Sequence, residues 1–489
     1  MSTACATLSA VIDVEPSLPG PDERPAPALT ADELVRLTGG RLLARSDRPI
    51  RGAAVDSRQV RRDQLFVALP GERTDGHRFI PDAVAAGASA VLVTRPPDAS
   101  SALEDVTVVR VVDPLAALQA IAAGWRERFD PLVVGVTGSI AKTSTKEAIA
   151  TVLATRLTTL RSEGNQNNEI GLPLTVLRLG PEHGAAVLEM GMYVGGEIAE
   201  LARIGRPSIG VVTAVQPVHL SRIGSLAAIE RAKGELLEAL PVDGTAVLNA
   251  DDPIVRRMGA RTRARVITYG FGDETDVGAE AVESAGMDGM RFVLRAGVAR
   301  RSLAIPTLGR FAVHNALAAA AVAGAAGLPL DDIARGLARG WSAPHRAQLV
   351  RLRGVTVVDD TYNASPASVV AALGLLAGLP GRRIAVLGTM LELGEGHEAG
   401  HVEVGRASAD MAELLVVVGD EAEGIARGAG DAGMDPARVL LVRDHDAALD
   451  VLRPRLRDGD VVLVKASRGI ALDLLVDALR AELGGAATR

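Results

Sequence analysis

Val134-Gly-Val-Thr-Gly-Ser-Ile-Ala-Lys-Thr-Ser-Thr-Lys-Glu147 is the stretch of sequence that decides the fold of this chain. An apolar run from Leu132 to Val136 leads into a tight Gly-Ser turn, and Lys142 and Thr143 then begin a helix-forming segment. Where proteins bind nucleoside triphosphates, backbone N–H groups of such a turn and of the helix N-terminus face the phosphates. The Lys neutralises phosphate oxygens and the Thr hydroxyl binds Mg²⁺. The segment therefore predicts a phosphate-binding loop.

The loop departs from the usual phosphate-binding pattern at two positions. Val136 stands where the longer pattern begins with Gly, and Ala141 stands where a Gly normally precedes the Lys. The alternative interpretation is a plain Gly-Ser turn between a strand and a helix, followed by Lys-Thr by coincidence. The motif alone favours phosphate binding over that alternative.

Composition restricts the class of protein. A length of 489 residues allows about three domains, and 48% hydrophobic with 23% charged residues is typical of a globular chain. The net charge of −7 argues against nucleic-acid binding. Cys5 is the single cysteine, which excludes an intrachain disulfide and a thiolate metal site. The apolar runs are too short to span a bilayer, so we expect no membrane insertion. The first residues lack the pattern of a signal peptide, so we expect a cytoplasmic location. We also expect a monomer.

Predicted strands and helices alternate along most of the chain, which is typical of α/β proteins with parallel sheets. Pro-rich composition predicts a disordered tail at residues 1–27. We then expect a small N-terminal α/β domain at 28–128, a central domain with a P-loop-type parallel sheet at 129–342, and a Rossmann-like, doubly wound domain at 343–489.

Polar side chains follow two further predicted strands of the central domain. Glu189 ends the strand Ala186–Leu188, and His219 lies just past the strand Ile209–Thr213. The carboxyl ends of parallel strands form the ligand crevice of such sheets, so this carboxylate and imidazole are well placed near a bound Mg²⁺. Taken alone, Glu189 would be solvated surface and His219 a hydrogen-bonded loop residue. From helical spacing alone, Lys233 is a surface residue.

Three other polar segments each have a functional and a plain interpretation. The Asn-rich segment Gly164–Gly171 supplies donors and acceptors for a phosphate, but alone it is an Asx-rich turn. The pair Asp359-Asp360 is either a ribose site or a turn. In His345-Arg346 the Arg suits bidentate phosphate contact, although a solvated Arg after a proline is common.

The order of these motifs resembles that of the Mur ligase family, and the resemblance runs from about residue 51 to the end of the chain. Each segment alone is weak, but together they are specific. The matching segments are Val55–Arg58, Leu65–Leu69, Gly71–His77, Thr137–Glu147, Gly164–Gly171, Leu188–Gly191, Pro217–Leu220, Ala232–Glu235, Asn249–Pro253, His345-Arg346, Asp359–Pro366, Leu391–Gly394 and Lys465–Arg468.

The resemblance implies an ATP-dependent ligase that forms an amide bond in peptidoglycan precursor synthesis. The Asn-x-Asn-Asn-x-Ile-Gly and Asp-Asp-x-Tyr-Asn-Ala-x-Pro segments favour members that join D-alanyl-D-alanine to UDP-N-acetylmuramoyl-tripeptide. In such an enzyme the first domain binds UDP, the second binds ATP, and the third brings the dipeptide. ATP phosphorylates the terminal carboxylate of the peptide, and the dipeptide amine attacks the acyl phosphate.

The resemblance also assigns roles to individual residues. The implied catalytic residues are Lys142, Glu189, His219 and Lys233, and the implied Mg²⁺ ligands are Thr143, Glu189, His219 and Lys233, the last as a carbamate. The implied ATP-binding residues are Gly138, Ser139, Ile140, Ala141, Lys142, Thr143, Ser144, Asn168, Asn315, Arg346 and Asp360. The implied substrate-binding residues are Asp56, Ser57, Arg58, Asp75, Gly76, His77, Asn363, Lys465, Ser467 and Arg468.

Three departures from the family pattern cluster at the nucleotide site. Ala141 replaces a loop glycine, and its Cβ costs about 1 kcal/mol or more if the residue must adopt a positive φ. Ala214 stands where Asn is usual, and Phe311-Ala312 stands where the family has His-Asn. The charged residues of the site remain, which favours an active or weakened enzyme over a non-catalytic relative. A Mur-type ligase that uses another amino-acid acceptor is a further alternative.

Overall fold

A computed structural model describes residues 27–71, 74–97, 103–217 and 223–484 of the chain. Its strands form three separate sheets of five, nine and six strands, which follow one another along the sequence. Helices alternate with these strands, so the α/β fold class is confirmed. The tail expected at 1–27 lies outside the described residues except for Pro27, and the domain boundaries stay predictions.

The first sheet belongs to the N-terminal unit. Its elements are α1 (Ala31–Thr38), β1 (Arg41–Ala44), β2 (Ala53–Ala54), β3 (Leu65–Val67), α2 (Ile80–Ala85), β4 (Ala90–Val93), β5 (Thr107–Arg110) and α3 (Pro114–Arg126). The strand order is β1-β5-β4-β3-β2, with β1 antiparallel and the other strands parallel. The segments that follow β2 and β3 therefore leave the sheet at the same edge.

Helix α3 joins the first sheet to the second. Asp113 caps its N-terminus by accepting two backbone N–H bonds, and Pro114 occupies the first turn, where an amide hydrogen has no partner in the helix. The apolar face of α3 is buried in one cluster that also contains Val133 and Leu188 of the second sheet. The Trp125 indole N–H donates to a backbone carbonyl of the central unit at 3.0 Å. The two units thus share a hydrophobic core.

The second sheet holds the phosphate-binding segment. Its strands are β6 (Leu132–Thr137), β7 (Thr159–Arg161), β8 (Ala185–Glu189), β9 (Ile209–Val212), β10 (Thr245–Asn249), β11 (Arg265–Gly270), β12 (Val277–Ser284), β13 (Met290–Ala296) and β14 (Ala299–Ile305). The accompanying helices are α4 (Lys142–Leu153), α5 (Gly171–Val176), α6 (Glu197–Gly205), α7 (Leu226–Glu238), α8 (Pro253–Arg257), α9 (Arg310–Ala325) and α10 (Leu330–Ala338).

The strand order β14-β13-β12-β11-β10-β9-β6-β8-β7 places β6 between β8 and β9. Strands β6 to β11 are parallel to their neighbours, and β12, β13 and β14 form antiparallel pairs at one end. The chain runs from β6 to β7 and β8 on one side and returns to β9 on the other. The loop after β6 therefore lies at the switch point, where open parallel sheets bind ligands.

Helix α9 is the Ala-rich helix of the central unit. It is buried along most of its length and packs against α4 and the strands β10 to β13. A helix that is apolar all round belongs in the interior of a protein, because it has no polar face for water. Within the described ranges, no helix is both long and apolar enough to cross a bilayer.

The third sheet belongs to the C-terminal unit. Its elements are β15 (Gln348–Arg351), β16 (Val355–Asp359), α11 (Pro366–Ala377), β17 (Arg382–Gly388), α12 (His397–Met411), β18 (Leu414–Val418), α13 (Glu423–Asp431), β19 (Val439–Val442), α14 (His445–Leu452), β20 (Asp460–Lys465) and α15 (Asp473–Leu483). The strand order is β15-β16-β20-β17-β18-β19, and only the edge strand β15 is antiparallel among these six. Separate apolar clusters cover its two faces, which is the doubly wound arrangement that the sequence predicts.

The helices α12 and α13 approach each other closely at Gly405. A Cβ at this position would lie 2.0 Å from the Ile425 carbonyl oxygen, so Gly405→Ala forces the helices apart. We expect the variant to lose about 1–3 kcal/mol of unfolding free energy in urea titrations. Gly430→Ala on α13 is the control, because a Cβ there meets nothing within 4 Å. We expect it to raise the free energy of unfolding by about 0.5 kcal/mol, since Ala is favoured over Gly in a helix. Equal stability of the two variants would contradict the packing described for this helix pair.

Candidate active site

A cavity of about 750 Å³ is lined by residues of both the central and the C-terminal units. The central unit contributes the loop after β6 and the end of β8, and the C-terminal unit contributes segments that follow β16, β17 and β20. The candidate residues that line this cavity are Ser139, Ile140, Ala141, Lys142, Thr143, Ser144, Asn168, Glu189, Asn315, Arg346, Asp360, Asn363, Lys465, Ser467 and Arg468. The cavity thus contains most nucleotide-side candidates together with the substrate-side candidates of the C-terminal unit.

Hydrogen bonds to the segment after β9 hold the loop that follows β6. The Ser139 N–H donates to the Ala214 carbonyl at 2.7 Å, and the Thr213 hydroxyl donates to the Ile140 carbonyl at 2.6 Å. Gly138 has a φ of 151°, and a Cβ there would lie 1.9 Å from the Thr213 hydroxyl oxygen, so this position requires glycine. The first N–H groups of α4 have no acceptor within the helix, and they are the donors that a phosphate needs.

Ala141 adopts the left-handed backbone conformation directly before α4, with φ 66° and ψ 0°. The condition that the sequence left open, a positive φ at this residue, is therefore met. For a residue that carries a Cβ, this left-handed conformation costs about 1–2 kcal/mol of free energy. Because Ala141 also lines the cavity, the strain lies in the loop that we expect to bind phosphate.

The Lys142 ammonium folds back over the loop. It donates to the Gly138 carbonyl at 2.7 Å and reaches the Ser139 carbonyl at 3.5 Å. Burial lowers the pKa of Lys142, and the negative charge of Glu189 partly opposes that decrease. The amine is thus positioned at the loop, where a phosphate would supply the missing negative charge.

Glu189 is the last residue of β8 and is only 1% exposed, so the solvated-surface alternative is wrong. Its Oε1 accepts a hydrogen bond from Asn167 Nδ2 at 2.8 Å. Its Oε2 is buried and accepts no hydrogen bond within the described part of the chain. A buried acceptor without a donor costs about 1–3 kcal/mol, and more when it is charged, so this oxygen is set for a ligand.

The free carboxylate oxygen fits a divalent cation, because Mg²⁺ prefers oxygen ligands and is commonly held by one or two carboxylates. Thr143 is buried in the first turn of α4 and contributes a hydroxyl to the same cavity. The described residues contain no group of three or more His, Cys, Asp or Glu side chains that could form a complete metal site. His219, the further ligand implied by the resemblance, lies outside the described residues.

The surface interpretation of Lys233 is wrong. This residue lies on α7 and is only 3% exposed, because α7 packs against α6, β6 and β9. Burial and, secondly, the charge of Lys142 lower the pKa of Lys233 well below its ordinary value. The lowered pKa favours the neutral amine, which is the nucleophilic form of a lysine.

Basic groups form the wall of the cavity that the C-terminal unit contributes. Lys465 Nζ donates to Asp360 Oδ2 at 2.6 Å and to the Asn363 carbonyl at 2.8 Å. The guanidinium groups of Arg346 and Arg468 lie 4.0 and 5.3 Å from the ring centre of Tyr362. Both cations are thus close to one aromatic face, where the ring attracts them, and a guanidinium suits recognition of phosphate or carboxylate.

The remaining departures replace polar groups with apolar contacts. Phe311 lines the cavity, whereas Ala312 is fully buried in the core of the central unit. Asn315 remains, and its Oδ1 accepts a hydrogen bond from the Thr145 hydroxyl at 3.0 Å. Ala214 supports the loop through its backbone carbonyl, which an Asn at this position would supply equally well.

The substrate-side candidates of the N-terminal unit are outside this cavity. Asp56, Ser57 and Arg58 follow β2, and Asp75, Gly76 and His77 follow β3, so the two groups lie at the same sheet edge. The Arg58 guanidinium binds the Asp56 carboxylate and lowers the pKa of that group to about 2. His77 Nδ1 lies 2.8 Å from Asp75 Oδ1, and His77 Nε2 accepts the Thr94 N–H at 3.1 Å. Both His77 nitrogens are thus engaged within the protein.

Sequence reasoning missed three residues at or beside the cavity. Asn167 and Tyr362 line it, and Asn167 donates a hydrogen bond to Glu189, whereas the guanidinium groups of Arg346 and Arg468 lie over Tyr362. Lys146 is fully buried behind the cavity, with its ammonium 4.0 Å from Glu189 Oε2. Lys146 and Asn167 lie inside the segments Thr137–Glu147 and Gly164–Gly171, so the motif positions were the available signal. The contacts themselves join distant parts of the chain and have no sequence period.

Taken together, the cavity combines helix N–H donors, several cations and one unsatisfied carboxylate oxygen. Such a site can bind a polyphosphate with a divalent cation at the central unit. It can hold a second anionic molecule against the basic wall of the C-terminal unit. The arrangement brings two reactants into one enclosed space, as a group-transfer reaction requires.

Family models match most of the described chain. The Mur ligase family catalytic domain matches residues 49–126, the Mur ligase middle domain matches 136–323, and the Mur ligase glutamate ligase domain matches 345–468. These three matches fall in the three sheet-forming units in the same order.

Individual relatives match over nearly their whole length. A UDP-N-acetylmuramoyl-tripeptide–D-alanyl-D-alanine ligase of Synechocystis sp. is 38% identical over 436 residues, covering 88% of this chain and 92% of the relative. A crystal structure of MurF from Acinetobacter baumannii superposes with a TM-score of 0.83 at 28% identity, covering 94% of this chain and 100% of that one. MurF from Thermotoga maritima in complex with ADP has a TM-score of 0.77 at 29% identity, covering 88% and 98%.

The strain at Ala141 predicts that Ala141→Gly stabilises the protein. Relief of the left-handed Cβ contact gains about 1–2 kcal/mol, and the added freedom of glycine in the unfolded chain returns about 0.5–1 kcal/mol. We expect a net gain of about 0–1.5 kcal/mol of unfolding free energy in urea titrations. Ala281→Gly is a positive control, because Ala281 also has a positive φ, 48°, but lies in β12 and is absent from the cavity lining. It should show a similar gain. A similar gain in both variants supports backbone strain, and a loss in Ala141→Gly refutes it.

The depressed pKa of Lys233 predicts a specific pH dependence of stability. Because the folded chain holds this proton more weakly than the unfolded chain, protonation of Lys233 favours unfolding. In buffer free of CO₂, the unfolding free energy of the parent should therefore rise with pH between the lowered pKa and the ordinary value of 10.5. Lys233→Met should lack this increment. Parallel stability curves for parent and variant across that range would disprove the assignment.

Proposed function

Because this chain belongs to the Mur ligase family, we propose that it joins D-alanyl-D-alanine to UDP-N-acetylmuramoyl-tripeptide at the expense of ATP. The observation that carries this proposal is the shared cavity, which contains the phosphate loop, the free Glu189 oxygen and the basic wall with Lys465 and Arg468. The relatives at 38% and 28–29% identity carry the name of this ligase or its abbreviation MurF. The chain is an ATP-dependent ligase by family.

The reaction needs a site of this kind because a carboxylate is a poor electrophile. Transfer of the γ-phosphoryl group of ATP to the terminal carboxylate gives an acyl phosphate and ADP. The neutral amine of the dipeptide attacks the acyl carbon, and the tetrahedral intermediate collapses to the amide with phosphate as leaving group. One ATP is converted to ADP and phosphate for each amide bond.

The protein's own groups position and neutralise these reactants. The N–H groups at the start of α4 and the Lys142 ammonium bind the β- and γ-phosphates. Arg346, Asp360, Lys465 and Arg468 all line the cavity. We assign Arg346 and Asp360 to the nucleotide, and Lys465 and Arg468 to the incoming dipeptide. Thr143 and Glu189 would hold Mg²⁺, which would supply positive charge to the phosphate oxygens.

Lys233 extends the same proposal. A buried, neutral amine reacts with CO₂ to give a carbamate, which converts a position unfavourable for a cation into a carboxylate. We assign Lys233 this modified form, together with His219 as a further ligand. The UDP moiety is assigned to the N-terminal edge that carries Asp56–Arg58 and Asp75–His77. A cytoplasmic location, a monomeric state and the absence of nucleic-acid binding complete the proposal.

The left-handed Ala141 favours a weakened enzyme as the second candidate. Its Cβ lies on the lining of the cavity and is the one loop departure that the structure marks as strained. Comparison of turnover for the parent and Ala141→Gly separates the two candidates. A large gain indicates a compromised loop, and equal turnover indicates that the turn tolerates the methyl group.

The test of the proposed function is phosphate release from ATP with Mg²⁺ and both substrates. We expect release only when UDP-N-acetylmuramoyl-tripeptide and D-alanyl-D-alanine are both present, with one amide formed per phosphate. Single amino acids and L-alanyl-L-alanine serve as alternative acceptors. Folded protein that releases no phosphate with the complete mixture would overturn the proposal, and faster release with another acceptor would redirect it.

The two arginines over Tyr362 should separate nucleotide from dipeptide recognition. Loss of a charge-assisted hydrogen bond costs about 1.5–3 kcal/mol, so Arg468→Ala should raise the KM for D-alanyl-D-alanine by about 10- to 100-fold. Arg346→Ala is the matched change, because it removes the other guanidinium that lies over Tyr362. It should instead raise the KM for ATP. Steady-state kinetics with each substrate varied in turn checks both. Identical effects on the two KM values would contradict the separate assignments.

A further inference from the structure

The two oxygens of the Glu189 carboxylate have different surroundings. Oε1 accepts a hydrogen bond from Asn167 Nδ2 at 2.8 Å, whereas buried Oε2 accepts none from the described residues. A buried cation, Lys146 Nζ, nevertheless lies 4.0 Å from Oε2. At that separation the ammonium stabilises the negative charge but does not occupy the oxygen as a hydrogen-bond donor.

Lys146 is held at this distance by other acceptors. Its side chain is fully buried on α4, and Nζ donates to the Ser162 carbonyl at 2.6 Å. Nζ also lies 3.0 Å from Glu147 Oε1, and Glu147 is in turn paired with Arg161 at 2.8 Å. A modest rotation of the Glu189 side chain would close the gap and form a direct ion pair with Lys146.

Asn167 is anchored on the other side of Glu189 and opposes that rotation. Its backbone carbonyl accepts the Gly191 N–H at 2.7 Å, and its own N–H donates to the Asn165 carbonyl at 2.7 Å. The amide group is thus fixed relative to the residues that follow β8. Its hydrogen bond to Oε1 defines the orientation of the whole carboxylate.

We propose that Asn167 is a positioning residue that keeps Glu189 Oε2 available for a divalent cation and away from Lys146. Without the Asn167 amide, the carboxylate turns toward the Lys146 ammonium, and the ion pair then competes with the cation. This inference rests on the proposed function for the presence of the cation, and it adds the device that preserves its ligand. Lys146 supplies the competing charge, and Asn167 prevents the competition.

Binding of Mn²⁺ to the full-length protein, followed by electron paramagnetic resonance of the free ion, tests this proposal. The titration contains no nucleotide, because a triphosphate in solution would itself bind Mn²⁺ and remove it from the free-ion signal. No turnover is required. Groups that orient a metal ligand typically contribute 10- to 100-fold in affinity, so Asn167→Ala should weaken Mn²⁺ binding by about tenfold or more. Gln166→Ala is the matched control, because this neighbouring amide is absent from the cavity lining and accepts a hydrogen bond from the Thr175 hydroxyl instead of contacting Glu189. It should leave the affinity within about twofold.

Two further variants make the result specific. Adding Lys146→Met to Asn167→Ala removes the competing ammonium, so the double variant should bind Mn²⁺ more tightly than Asn167→Ala alone. A purely structural role of Asn167 would not give this recovery. Glu189→Gln removes the proposed cation ligand itself. It should therefore lower the affinity for the same Mn²⁺ ion that Asn167→Ala binds more weakly.

The outcomes separate this inference from the proposed function. If Glu189→Gln weakens Mn²⁺ binding but Asn167→Ala matches the parent, the positioning role is wrong and the cation site stands. If Glu189→Gln leaves Mn²⁺ binding unchanged, the cation assignment in the proposed function fails, and this inference fails with it. Thermal unfolding of each variant confirms that the compared proteins are folded, and Asn167→Ala alone decides the matter if the double variant does not fold.

Discussion

The hydrogen bonds between the loop after β6 and the segment after β9 are the constraint on which the rest of the site depends. They fix Ser139 and Ile140 against the neighbouring strand end, and they force Gly138 into a conformation that excludes a side chain. The first turn of α4 is thereby directed into the cavity at the switch point of the sheet. Because β8 is the neighbour of β6 on the other side, the same geometry places Glu189 beside the loop.

Buried charge is the second organising feature. Lys146, Glu189 and Lys233 are buried and Lys142 is half-buried in one region of the central unit, and burial of such groups is unfavourable unless each finds a partner. Lys146 is satisfied by backbone and carboxylate acceptors, whereas one oxygen of Glu189 is left without a donor among the described residues. A polyphosphate with its cation would correct this imbalance, and its binding should therefore stabilise the folded protein.

The sequence predicted the secondary-structure elements and the sheet edge at which the site lies better than it predicted individual side-chain contacts. Alternating strands and helices indicated parallel sheets, and the end of β8 pointed to Glu189, because strand ends of such sheets share one crevice. Helical spacing failed for Lys233, since burial of α7 depends on which neighbours it packs against. The Asn167–Glu189 and Arg346–Tyr362 contacts join residues that are distant or irregularly spaced in the sequence, so hydrophobic periodicity could not predict them. Ala141 was an intermediate case. The sequence showed that it replaces a Gly, but only the structure showed its φ of 66°.

Activation of a carboxylate through an acyl phosphate is the central chemical claim, and the path of one oxygen atom tests it directly. The measurement uses UDP-N-acetylmuramoyl-tripeptide labelled with ¹⁸O in its terminal carboxylate and follows the label by mass spectrometry of the released phosphate. The account predicts one ¹⁸O atom in the phosphate for each amide formed, since that oxygen leaves with the phosphoryl group. Phosphate that carries no ¹⁸O while amide accumulates would contradict it.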